Sequence, residues 1–114
     1  MREAAIGCVI LAAALFAAPA AAGVCLTPET VIDRVLENRP AAATTVLLGA
    51  AADDLAAALR RDAGTDVPEP AEMFLVFADP ALDGAAVVQF RRGCAVAKGV
   101  FAAGLVRAWL AEIR

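Results

Sequence analysis

The chain has 114 residues, a formal net charge of −3 and 61% hydrophobic residues, with three Cys but no His, Ser or Tyr. These absences exclude Ser-His-Asp and Cys-His catalysis within one chain, together with His-based zinc or iron sites. The weakly acidic balance, with adjacent basic pairs at Arg60-Arg61 and Arg91-Arg92, argues against a nucleic-acid partner.

Arg2 precedes an apolar run, Ile6 to Ala18, followed by Pro19 and the small residues Ala20-Ala21-Ala22. This is the layout of a secretory signal peptide, although Glu3 offsets the charge of Arg2. The expectation is an exported protein, periplasmic or extracellular, with residues 1–22 removed and residues 23–114 forming one small domain of about 92 residues. The alternative is a membrane anchor kept at residues 6–22, near the lower length limit for a hydrocarbon layer of about 30 Å. In that case the chain is a membrane-anchored accessory subunit. Lipoprotein processing before Cys25 fits less well, because Val24 is larger than the Gly or Ala usual there.

Cys8 would leave with the signal, so Cys25 and Cys94 remain and are expected to form a disulfide. Closing a loop of nearly seventy residues is worth about 4 kcal/mol in the chain-entropy account.

Thr27-Pro28-Glu29 predicts a helix start, with Thr27 as cap, Pro28 at the first helical position and Glu29 complementing the dipole. Val31, Ile32, Val35 and Leu36 recur on one face, Asp33, Arg34 and Glu37 lie on the other, and Pro40 ends the helix near Asn38. Thr44 to Leu48 is β-branched and apolar and predicts a strand. Ala51 to Asp62 predicts a second helix, stopped by Gly64, with Asp53 and Asp54 near its start and Arg60 and Arg61 near its end. Residues 66–70 are a Pro-stiffened connector.

Three apolar runs follow, Met73 to Ala78, Ala86 to Arg91 and Cys94 to Phe101, and predict an antiparallel meander. The unbroken run Met73-Phe74-Leu75-Val76-Phe77 suits a central strand covered on both faces. A two-residue turn at Arg92-Gly93 pairs Arg91 with Cys94. Counted on regularly, Phe90, Val88 and Ala86 meet Ala95, Ala97 and Gly99 on an apolar face, while Val87, Gln89 and Arg91 meet Lys98, Val96 and Cys94 on a mixed one. The mixed face, near Gln89, Arg91 and Lys98, is the expected contact surface unless helix 1 covers it. A last helix, after Phe101 to about Ile113, has Leu105, Val106, Trp109, Leu110 and Ile113 on one face.

The order α-β-α-β-β-β-α predicts an α+β domain of two layers. Bonding of Cys25 to Cys94 would bring helix 1 over the mixed sheet face, with helices 2 and 3 on the apolar one, giving three layers.

Little chemistry survives among the remaining residues. Asp79, Asp83 and Gly84 resemble half of a calcium loop, but Ala81 stands at a ligand position and Phe90 where a bidentate Glu is needed, so a turn is the simpler reading. Leu48-Gly49-Ala50 lacks the Lys and further Gly of a phosphate loop. No cofactor or metal is implied. The reading is a small exported, non-enzymatic domain that binds a protein or cell-envelope component and is held by one disulfide. The alternative is a thiol-disulfide redox protein using Cys25 and Cys94, set back by the lack of a close-spaced second Cys.

Overall fold

The computed structural model describes residues 24–67 and 70–113. The predicted signal or anchor segment and its cleavage lie outside the described residues, as does the middle of the connector.

Helix α1, Pro28–Asn38, starts and stops where its residues dictate. The Thr27 hydroxyl accepts the Thr30 N–H at 3.3 Å, Pro28 spends no helical donor, and the N–H of Arg39 closes the last turn on the Val35 carbonyl at 2.8 Å. Strand β1, Ala43–Leu48, and helix α2, Ala50–Ala58, follow. The helix continues into a wider π-helical turn, Leu59–Ala63, which ends at Gly64 with φ +66°. Strands β2, Met73–Ala78, β3, Ala85–Arg91, and β4, Cys94–Phe101, lead to helix α3, Ala103–Ile113.

The four strands form one antiparallel sheet in the order β1-β2-β3-β4, which makes β2 and β3 its interior strands. Phe74, Leu75, Val76 and Phe77 of β2 are all buried, as expected of a strand covered on both faces. The domain is therefore α+β with helices on both sides of the sheet.

Arg92 (φ +55°) and Gly93 (φ +79°) make the two-residue turn between β3 and β4, a type I′ geometry in which both central residues need positive φ. The carboxylate of Glu72 accepts the Arg92 N–H at 2.6 Å and ties the turn to the start of β2. Arg91 pairs with Cys94 and Phe90 with Ala95, but the next partner of Gln89 is Ala97. Val96 is the extra residue of a β-bulge.

The bulge overturns the regular register. Beyond it Val88 faces Lys98, Val87 faces Gly99 and Ala86 faces Val100, each shifted by one from the expectation. A regular ladder would have set Lys98 beside Val87, under α2 and α3, where an unpaired ammonium costs several kcal/mol. Losing a ladder hydrogen bond costs only about 1 kcal/mol. The bulge instead puts Gly99 under that core. The ring of Phe101 lies across it, 2.7 Å from where a Cβ would stand, and meets Trp109 edge-on with centroids 5.4 Å apart.

The helices also take the opposite faces from those expected. Helices α2 and α3 cover Leu47, Phe74, Val76, Ala85 and Val87 through Ala52, Leu55, Ala56, Leu59, Val106 and Trp109. Helix α1 covers Leu75, Phe77, Val88 and Phe90 through Val31, Ile32 and Val35. The face that looked mixed in the hairpin becomes the larger core, because Phe74 and Val76 from β2 supply the apolar bulk that Gln89 lacks. Two Ala-rich turns of α2 let that helix sit close.

The disulfide forms nonetheless, with the Cα atoms of Cys25 and Cys94 5.0 Å apart. The chain reaches Cys94 along the open edge of β4 and not over a face. Ala95 donates its N–H to the Leu26 carbonyl at 2.9 Å, so residues before α1 run beside the edge strand and then turn under the sheet. No described helix is long and apolar enough to cross a membrane.

Candidate functional site

Helix α1 is narrower than the face it covers. A helix is about 10 Å across, whereas four strands span roughly 14 Å between outer axes. None of its residues is fully buried, and the sheet beside it stays open: Val46 on β1 is 50% exposed and Val100 on β4 is 68% exposed. On the β4 side the gap becomes a cleft of about 480 Å³. Phe77, Ala86 and Val88 supply its floor from the strands, Val31 and Val35 its wall from α1, and Leu26 one end. Leu82 and Gly84 of the β2–β3 turn close the other end.

Three cations border this apolar floor. Arg34 lies one turn from both Val31 and Asn38 on the flank of α1, Arg39 caps its C-terminus, and Lys98 stands on β4 opposite Val88. Among the described residues the ion pairs are those of Arg61 with Asp62 and Glu112, and none involves Arg34, Arg39 or Lys98. Lys98 is held below its ordinary pKa, first by loss of hydration against the cleft and then by the neighbouring positive charge of Arg39. Asp79 is the acid at the rim, and its carboxylate accepts the Ala81 N–H at 2.9 Å within the turn. The cleft thus combines a concave, mainly apolar surface with a few polar groups at its border, features that small-molecule sites also have.

A second depression, about 600 Å³, lies between the β2–β3 turn and α3, with Arg107, Asp79 and Asp83 as its charged lining. Among the described residues no three His, Cys, Asp or Glu side chains converge to hold a metal ion.

Gln89, Arg91 and Lys98 do not make one surface. Gln89 is 1% exposed beneath α2 and α3, Arg91 is half-buried at the end of the same row, and Lys98 emerges on the opposite face. Of the three, only Lys98 borders the cleft. Arg34 and Arg39 were not legible as partners of Lys98: the helical spacing put Arg34 on the polar side of α1, and only docking of α1 sets that flank beside β4. Cys25 is exposed and Cys94 half-buried, and their bond fixes the entry to α1 at the Leu26 end of the cleft. A disulfide is compatible with an exported protein. No protein-family model, curated protein or solved structure matches this chain.

Proposed function

We propose that the chain is exported without residues 1–22 and acts as a non-enzymatic domain that binds a cell-envelope component through the cleft between α1 and the sheet. The observation that supports the binding part of this reading is the cleft itself: an apolar recess beside a helix too narrow for its sheet, with that helix clamped by a disulfide at the cleft's end. A partner protein docking over the same cleft is the other form of this reading. Intact-mass measurement of the protein recovered from the source cell tests export, with residues 1–22 absent as the expected result. Native mass spectrometry of the same material tests the cleft. The expected result is a retained component that is lost from Val100→Glu, a substitution at an exposed cleft residue. A chain that keeps residues 1–22, or a component retained equally by Val100→Glu, overturns the corresponding part.

Exposure of Cys25 favours a second reading, thiol-disulfide exchange through Cys25 and Cys94. A reduction potential in the oxidoreductase range would support it, whereas a value below about −300 mV marks a structural bond.

A further inference from the structure

Resting on the reading of the cleft as the binding site, we propose that its ligand is an amphipathic organic anion, an apolar chain bearing one carboxylate-like group, with Lys98 and Arg39 holding the anionic end. Charge complementarity carries the assignment. Lys98 and Arg39 come from different elements, β4 and the end of α1, and both line the cleft. Arg34 adds a third positive charge on the same border, and none of the three has a counter-ion among the described residues. Asp79 is turned to the Ala81 N–H of its own turn. Like charges gathered at the mouth of an apolar cleft are unfavourable in the empty protein, and an anion placed between them relieves that repulsion as it binds.

The apolar lining explains the other half of the ligand. Val35, Leu82 and Val100 offer no hydrogen-bond donor to a sugar or a peptide backbone, and a fully polar anion would leave them in contact with water. The volume, about 480 Å³, falls within the usual range for small-molecule sites, roughly 300–1,000 Å³. A single acyl chain therefore suits the cleft better than a folded macromolecular partner. The β-bulge ties the two halves together, since without it Lys98 would point to the other side of the sheet.

Titration calorimetry on the oxidised mature protein tests the assignment with decanoate, decanol and acetate, each below any micellar concentration. The expected result is saturable binding of decanoate, at least tenfold weaker binding of decanol, and none of acetate. Lys98→Met and Arg39→Met should each weaken decanoate about tenfold while leaving decanol unchanged, and Lys98→Arg should retain most of the affinity. Added salt should weaken decanoate alone. Decanol binding as tightly as decanoate would overturn the anion assignment while leaving the cleft as the binding site. Saturable decanoate binding unaffected by Lys98→Met and by Val100→Glu would overturn both, as would no binding of either long-chain probe together with a cleft empty in the native mass spectra.

Discussion

The indole Nε1 of Trp109 donates a 2.8 Å hydrogen bond to the carboxylate of Asp62, joining the buried anchor of α3 to the π-helical turn that ends α2. Trp109 is 1% exposed, so its N–H would lack a partner without this contact. Asp62 also accepts from Arg61 at 2.8 Å, and Arg61 reaches on to Glu112 of α3 at 3.2 Å. The hydrogen bonds from Arg61 first, and from Trp109 second, hold the Asp62 carboxyl down at about 2.

That depression makes stability depend on acid in a stated direction. The ionised form is the one favoured by folding, so its contribution is fully present above the unfolded carboxyl pKa, about 4, and is lost as pH falls toward about 2. Urea midpoints followed by Trp109 fluorescence should drop across this window in the native chain. Asp62→Asn should be less stable at pH 7 and should show a smaller drop between pH 4 and pH 2. An identical acid limb in the variant would mean that Asp62 contributes nothing by its charge.

Gln89 and Phe90 stand back to back and are both 1% exposed, so an acid at either is intolerable. Gln89→Asp and Phe90→Asp should each cost at least about 3 kcal/mol in urea melts, by a buried charge in one core and by a lost ring and a buried charge in the other. Val96→Asp, at the bulged and 41% exposed position, should cost less than about 1 kcal/mol. A large loss at Val96 would show that β4 pairs without the bulge.

Reduction, or Cys25→Ala with Cys94→Ala, should lower stability by about 2–4 kcal/mol, since the bond spans 69 residues of chain. The loss should be uneven. Helix α1 has no fully buried residue and is anchored at Cys25, so amide-exchange protection in Pro28–Asn38 should fall more than in β2 and β3. Equal loss in all elements would mean that α1 is held by its packing.

Arg92 occupies a left-handed conformation (φ +55°) that Asn and Gly adopt with less strain. Replacing Arg92 with Asn should therefore raise stability by about 0.5–1 kcal/mol, seen as a higher urea midpoint, provided that its N–H still reaches Glu72.

Local chemistry was enough to place the elements. Thr27-Pro28 and Pro40 bound α1, Gly64 ends α2, Arg92-Gly93 makes the hairpin, and the unbroken apolar run at Met73 is an interior strand, because caps, turns and burial on both faces act over a few residues. The pairing of Cys25 with Cys94 is legible by elimination once Cys8 is set aside with the expected signal segment.

What no local pattern contained was the side of the sheet on which each helix rests. Face assignment in a hairpin propagates from the turn one residue at a time, so a single extra residue at Val96 inverts everything beyond it, Lys98 included. The choice between a regular and a bulged ladder depends on whether an ammonium or a glycine lies under Trp109 and Phe101, residues brought there by α3 and the end of β4. Composition, caps and turns determined an α+β chain with one bonded cysteine pair. Only the tertiary structure decided that Gln89 is core and that Lys98, Arg39 and Arg34 share a cleft, because the desolvation cost of a charge is set by neighbours that sequence distance does not reveal.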